Sequence, residues 1–166
     1  MSSNGHQFSA IHWDDMQFEH GYDKWQAYGQ AKTANARFAV QLDALGRDTG
    51  GRAFAVHPGA IATQLGRHVA GEEMLAAGWI DEDGNPTNAG FKTPSQGAAT
   101  QVWVATSPQL AGMRGVYCED CDIAEPAAEG QLAGGVRAYA TGPGQAARLW
   151  KLSAQLTGVD AFTAPL

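Results

Sequence analysis

A regular helical pattern between Asp23 and Leu45 constrains the fold of this chain more than any other feature of its sequence. Asp23 followed three residues later by Gln26 is typical of a helix start, and Gly50-Gly51 is typical of the chain beyond a helix end. The apolar residues in between recur at spacings of three and four: Ala27, Ala31, Ala34, Phe38, Leu42 and Leu45. The sequence therefore predicts one long helix here.

The segments around this helix predict an α/β protein. Residues 52–57 form a strand-like run that stops at Pro58-Gly59, and a helix that leads into a strand favours a parallel sheet. A second helix is predicted from Thr93-Pro94 to about Ser107, a further strand at 115–118 and a last helix at 145–156. Residues 1–22 predict an ordered loop, and the stretch 60–91, which contains five glycines and Pro86, predicts a mobile loop or lid.

Composition excludes several classes of protein. The 166 residues are 44% hydrophobic and 17% charged, which fits one folded domain. A net charge of -6 without a basic block argues against a nucleic-acid partner. No apolar run approaches the roughly 20 residues of a membrane span, and the start lacks a signal-peptide pattern. Only two cysteines are present, so we expect no disulfide scaffold and a cytoplasmic location.

Histidine, serine and cysteine patterns offer weaker candidates for chemistry. The five histidines lie in no zinc-ligand spacing, so no metal site is expected. Ser3 and His6 could suggest a hydrolase, but a Gly-x-Ser-x-Gly elbow is absent. Cys118 and Cys121 flank two acidic residues, which disfavour a thiolate and therefore a redox role.

Tyr28 and Lys32 are the strongest chemical candidates. They are four residues apart on the predicted helix, so their side chains share one face. An ammonium beside a phenol favours the phenolate, which makes proton transfer near neutral pH easier. Such pairs also occur by chance on many helices, so the pair alone is a weak indication of function.

The order and spacing of several motifs resembles the short-chain dehydrogenase/reductase family. Ser3 precedes Tyr28 by 25 residues, a distance similar to the retinol-dehydrogenase-like branch, where a longer insert separates serine from tyrosine. The resemblance covers most of residues 1–124. The matching motifs are residues 2–6 (Ser-Ser-Asn-Gly-His), Tyr28 to Lys32, Ala34-Asn35, His57-Pro58-Gly59, 96–100 (Gln-Gly-Ala-Ala-Thr) and 115–117 (Gly-Val-Tyr).

This resemblance implies an NAD(P)-dependent oxidoreductase that interconverts an alcohol and a carbonyl. Tyr28 would be the acid/base, Ser3 would hydrogen-bond the substrate oxygen, and Lys32 would support the phenolate and donate to the nicotinamide ribose. The implied cofactor-binding residues are Tyr28, Lys32, Pro58, Gly59, Ile61 and Thr63. Taken alone, Pro58-Gly59 would be interpreted as a plain turn after a strand. Substrate identity, the choice of NAD or NADP and the oligomeric state stay open.

The resemblance also implies the C-terminal part of a Rossmann-type doubly wound parallel sheet. The chain lacks a Gly-x-Gly-x-x-Gly pyrophosphate turn, so the N-terminal dinucleotide-binding half is predicted to be missing and the chain to be inactive alone. Within this single partial domain the resemblance implies four regions: a catalytic-serine loop (1–22), the catalytic helix, strand and nicotinamide loop (23–63), a substrate lid (64–92), and a C-terminal helix, strand and tail (93–166).

Two hypotheses about partners follow. The first is an enzyme acting on a small-molecule alcohol or carbonyl, with self-association or a complementing N-terminal half. The alternative is a noncatalytic remnant that serves as a protein-interaction module, because an incomplete sheet would expose apolar surface and unpaired backbone groups.

Overall fold

A computed structural model of the chain describes residues 1–61, 63–87 and 90–162. Residues 88 and 89 of the predicted lid and residues 163–166 of the predicted tail lie outside the described residues. The helices are α1 (Lys24–Leu45), α2 (Gly71–Ala76), α3 (Pro94–Thr106), α4 (Ala138–Thr141) and α5 (Pro143–Thr157). Short 3-10 helices span Asn4–Phe8, Arg47–Thr49, Gln64–His68 and Pro108–Leu110.

Helix α1 begins and ends where the sequence pattern predicts. The Asp23 carboxylate accepts the N–H of Gln26 at 2.8 Å, which satisfies one of the free donors of the first turn. At the other end the N–H of Gly46 donates to the carbonyl of Leu42 at 2.9 Å. Local capping groups therefore set the length of this helix.

The buried face of α1 differs from its apolar face. Phe38 and Leu42 are 39% and 37% exposed, whereas Thr33 and Ala36 are fully buried. The small residues bring the helix backbone close to the 3-10 helix Asn4–Phe8, and the Thr33 hydroxyl donates to the carbonyl of Ser9 at 2.7 Å. The spacing of apolar residues predicts the helix correctly but not which side of it packs.

Three short strands form a mixed sheet in the order β1 (Ala55–His57), β2 (Tyr117–Glu119) and β3 (Asp122–Ile123). Strands β1 and β2 are parallel, and β2 and β3 are antiparallel. Asp120 and Cys121 join β2 to β3 with positive φ values of 48° and 59°. The α/β class is confirmed, but the sheet is small and mixed, because this tight turn folds back a strand too short to stand out in the sequence.

The sheet packs against α1 and the C-terminal region. Its core cluster consists of Ala36, Ala55, Tyr117 and Ala140, so small side chains from α1, β1 and α4 surround one large ring. Ser2 ties the amino end of the chain to this core: its N–H donates to Val56 at 2.8 Å and its hydroxyl donates to the carbonyl of Lys32 at 2.8 Å. Among the described residues, no helix combines the length and the apolar character needed to cross a membrane.

The contact between α1 and Asn4–Phe8 predicts a strict requirement at Gly29. A Cβ at this position would lie 2.8 Å from the Ser9 nitrogen and 2.9 Å from Phe8 Cβ. Gly29→Ala should therefore lower the free energy of unfolding by about 1–3 kcal/mol, measured by urea unfolding. Gly144→Ala is the matched control, because a Cβ there meets open space in α5. Equal effects of the two variants would contradict the proposed close contact.

Candidate active site

Ser3 is held at the start of the 3-10 helix Asn4–Phe8. Its hydroxyl oxygen accepts the N–H of Gly5 at 3.1 Å, and its backbone is extended, with φ -163° and ψ 158°. This bond uses a lone pair of the oxygen and leaves the hydroxyl hydrogen to be donated elsewhere. Ser3 is therefore oriented as a hydrogen-bond donor.

Tyr28 lies directly against the same turn. A Cβ at Gly5 would come within 2.3 Å of Tyr28 Cε1 and within 3.5 Å of Ser3 Oγ. Only glycine leaves room for the phenol ring at this point. The ring of Tyr28 and the hydroxyl of Ser3 consequently share one small space, although 25 residues separate them along the chain.

Lys32 completes this group from the next turn of α1. Its Nζ lies 5.3 Å from the centroid of the Tyr28 ring. A cation at this distance is attracted to the face of the ring. The structure thus brings together Ser3, Tyr28 and Lys32, the three residues that the sequence proposes as catalytic.

The loop after β1 adjoins this group. Gly59 has a φ of +93°, which favours glycine, and a Cβ there would lie 2.7 Å from Lys92 Cδ. The N–H groups of Asn4 and Gly59 both point at His57 Nδ1, at 3.2 and 3.4 Å. Pro58 and Gly59 are therefore linked to the Ser3 segment.

Ile61 and Thr63 lie further along this loop. The Ile61 side chain packs on α3, where a Cβ at Gly97 would come within 2.0 Å of Ile61 Cδ1. The Ile61 residue as a whole is partly exposed. Thr63 caps the 3-10 helix Gln64–His68, and its hydroxyl oxygen accepts the N–H of Leu65 at 3.3 Å.

His6 has a structural role that sequence reasoning did not find. Its side chain is fully buried, Nδ1 donates to the carbonyl of Ser3 at 2.8 Å, and Nε2 accepts the N–H of Arg137 at 3.2 Å. Burial lowers the pKa of His6. The neutral ring therefore joins the serine turn to the chain just before α4. The sequence signal for this role is the position of His6 within the motif at residues 2–6.

Tyr117 is a second tyrosine close to the site. It is 2% exposed, and its hydroxyl lies 3.3 Å from His6 Nδ1. Burial raises the pKa of Tyr117 well above its usual range. Its proton is tightly held, so its geometry favours a structural role and leaves Tyr28 as the candidate acid/base.

His57 carries the clearest electrostatic signature among the described residues. Burial lowers its pKa to about 4, an effect that nearby Asp120 opposes and Lys92 reinforces. The ring is thus neutral near pH 7. In the described part of the chain, no group of three or more His, Cys, Asp or Glu side chains is placed to hold a metal ion.

The neutral His57 predicts a pH-dependent loss of stability. In the unfolded chain its ordinary pKa of 6.5 lets it bind a proton, which the folded chain resists until about pH 4. Its contribution is therefore complete above pH 6.5 and is lost as the pH falls toward 4, at up to about 1.4 kcal/mol per pH unit.

Urea unfolding across this pH range checks the prediction. His57→Asn should have a flatter pH profile, whereas His68→Asn, at an exposed position, should follow the natural chain. Parallel profiles for His57→Asn and the natural chain would contradict the assignment.

Comparison with known proteins gives relatives over nearly the whole chain, although no protein-family model matches it. A probable oxidoreductase of Streptomyces lividans is 42% identical over 93% of this chain and 52% of its own length. Short-chain dehydrogenase/reductase prx1 of Penicillium rubens is 36% identical over 94% and 45%. Human retinol dehydrogenase 14 is 32% identical over 73% and 35%.

A solved structure is also similar to this chain. The crystal structure of an uncharacterized Mycobacterium paratuberculosis protein superposes with a TM-score of 0.62 at 25% identity, over 98% of this chain and 50% of that one. The chain spans about half the length of the curated relatives it matches. The chain is thus a relative of oxidoreductases that include a short-chain dehydrogenase/reductase and retinol dehydrogenase 14, and it matches between 35% and 52% of their lengths.

Proposed function

We propose that the whole protein is an NAD(P)-dependent oxidoreductase that interconverts an alcohol and a carbonyl. The observation that carries this proposal is the position of Ser3 and Tyr28 against Gly5, with Lys32 over the ring of Tyr28. A hydroxyl donor, a phenol and an ammonium in one space are the groups that proton transfer to a carbonyl oxygen requires. The names of the relatives support the same class of reaction.

Each of the three residues has a defined task in this proposal. During reduction Tyr28 donates its phenolic proton to the substrate oxygen, and during oxidation its phenolate accepts that proton. Ser3 donates its hydroxyl hydrogen to the same oxygen, while its own oxygen accepts the N–H of Gly5. Lys32 offsets the negative charge on the phenolate from 5.3 Å above the ring.

The described residues fit one end of a nicotinamide cofactor. Lys32 carries three N–H donors beside Tyr28, a donor set that suits ribose hydroxyls. A nicotinamide cofactor would supply or accept the hydride. We propose that Pro58, Gly59 and Thr63 line the nicotinamide together with the backbone of Ile61, since the Ile61 side chain packs on α3.

We further propose that the chain corresponds to the C-terminal part of a larger doubly wound sheet and is inactive without the rest. The small sheet and the half-length match to the relatives support this placement. Strand β1 pairs with β2 along one edge, and on the other described side Val56 accepts the N–H of Ser2. Strands of a dinucleotide-binding half would continue the sheet from β1.

The decisive experiment joins a dinucleotide-binding half to this chain. The part of the Streptomyces lividans relative that this chain does not match is joined ahead of it, and the chimera is assayed for reduction of test aldehydes and ketones with NADH and NADPH. Tyr28→Phe should lower kcat by about 100- to 10,000-fold, because the acid/base is lost while the ring is kept.

Tyr22→Phe is the matched control for this variant. Tyr22 is 72% exposed just before α1, so the same chemical change there should leave kcat within about twofold. Equal rates for Tyr28→Phe and Tyr22→Phe in an active chimera would show that Tyr28 is not the acid/base.

The alternative, a noncatalytic interaction module, is favoured by the exposed Phe38 and Leu42 on α1. Titration of the 166-residue chain alone with NADPH, followed by cofactor fluorescence, tests whether this chain holds only part of the cofactor site. We expect no saturable binding at micromolar cofactor, because the chain lacks a pyrophosphate-binding turn. Tight binding would disprove the proposal that this chain holds only part of the site, and an inactive chimera would favour the module.

A further inference from the structure

We infer that His57 is a positioning residue that holds the serine turn and the loop after β1 in register. The inference rests on the proposed function, in which Ser3 contacts the substrate oxygen and Gly59 lies beside the nicotinamide. His57 itself contacts neither reacting group in this scheme. It acts through the backbone of the residues that do.

The geometry places one ring atom between the two segments. His57 is the last residue of β1, and its Nδ1 accepts the N–H of Asn4 at 3.2 Å and that of Gly59 at 3.4 Å. Asn4 follows Ser3 directly, and Gly59 is the turn residue of the loop. Because a single in-plane lone pair serves both donors, the two backbone nitrogens must converge on one point.

The arrangement requires a particular state of the ring. Nδ1 accepts both bonds and so carries no hydrogen, which places the hydrogen of the neutral imidazole on Nε2. The titratable groups that influence the ring are Asp120 after β2, Lys92 before α3, and His6 in the 3-10 helix. Burial keeps the ring unprotonated, so both hydrogen bonds persist at neutral pH.

The serine turn is also held by other contacts, whereas His57 is the link between this turn and the loop after β1. Ser2 is tied to β1 and α1 through Val56 and the carbonyl of Lys32, and Gly5 is seated on Tyr28. The loop around Gly59 is instead held by the residues before α3, where the N–H of Lys92 donates to the carbonyl of Ala60 at 2.7 Å. A displacement of about 1 Å between reacting groups can cost about 100-fold in rate.

Three substitutions of His57 distinguish the effect of the hydrogen-bond acceptor from the effect of the size of the ring. In His57→Asn, Oδ1 lies the same number of bonds from Cα as Nδ1 and can accept the same N–H groups. In His57→Gln the acceptor lies one bond further out, and in His57→Leu it is removed. In the active chimera, His57→Asn should keep kcat within about threefold. His57→Gln and His57→Leu should lower kcat by about 10- to 100-fold, with a smaller change in KM.

Nuclear magnetic resonance of the 166-residue chain tests the hydrogen bonds without any activity. Nitrogen-15 couplings across the hydrogen bonds should connect the amides of Asn4 and Gly59 to His57 Nδ1. The amide protons of both residues should shift together in His57→Leu and stay close to their natural positions in His57→Asn.

The outcomes distinguish this inference from the proposed function. A protonated Nδ1 at pH 7, or couplings from neither amide, would overturn the bridge. In an active chimera, the positioning role alone would be overturned by an unchanged rate for His57→Leu or by equal rates for His57→Asn and His57→Gln. If the chimera without substitutions is inactive, the proposed function and the catalytic consequence for His57 are overturned. The couplings across the hydrogen bonds would still decide whether His57 bridges the two segments.

Discussion

The rest of the structure depends on a contact between two pieces of backbone. The 3-10 helix Asn4–Phe8 lies on α1 with glycine on each side of the contact, Gly5 against the Tyr28 ring and Gly29 against the Ser9 nitrogen. The two glycines let the segments approach closely enough for hydrogen bonds between them, such as the one from the Thr33 hydroxyl to the carbonyl of Ser9. This close approach is also what brings the Ser3 hydroxyl to Tyr28, so one packing constraint serves both stability and the proposed chemistry.

Buried polar groups then join this contact to the rest of the chain. His6 is bonded through Nδ1 to Ser3 and through Nε2 to Arg137, and the Tyr139 hydroxyl donates to the His6 carbonyl at 2.8 Å. Buried polar groups are costly unless they are paired, so these bonds specify where the C-terminal region docks. The segment before α5 thereby supports the serine turn from a distance of more than 130 residues along the chain.

The proposed site divides into two chemical parts. The proposed proton-transfer groups, Ser3, Tyr28 and Lys32, lie within this chain, whereas its sequence contains no Gly-x-Gly-x-x-Gly turn. His57 links the loop around Gly59 to the serine turn. A match to about half of each relative is consistent with this division.

The sequence by itself determined the long helix, because capping and periodicity act between near neighbours, and it also indicated the trio Ser3, Tyr28 and Lys32 through the order of its motifs. It did not determine which face of α1 is buried, the short strand β3, or the direction of the Ile61 side chain. Only the tertiary structure decided the bridging role of His57, whose bond to Asn4 spans 53 residues. Contacts of that kind depend on how small residues let separate segments approach, which no local pattern of side chains encodes.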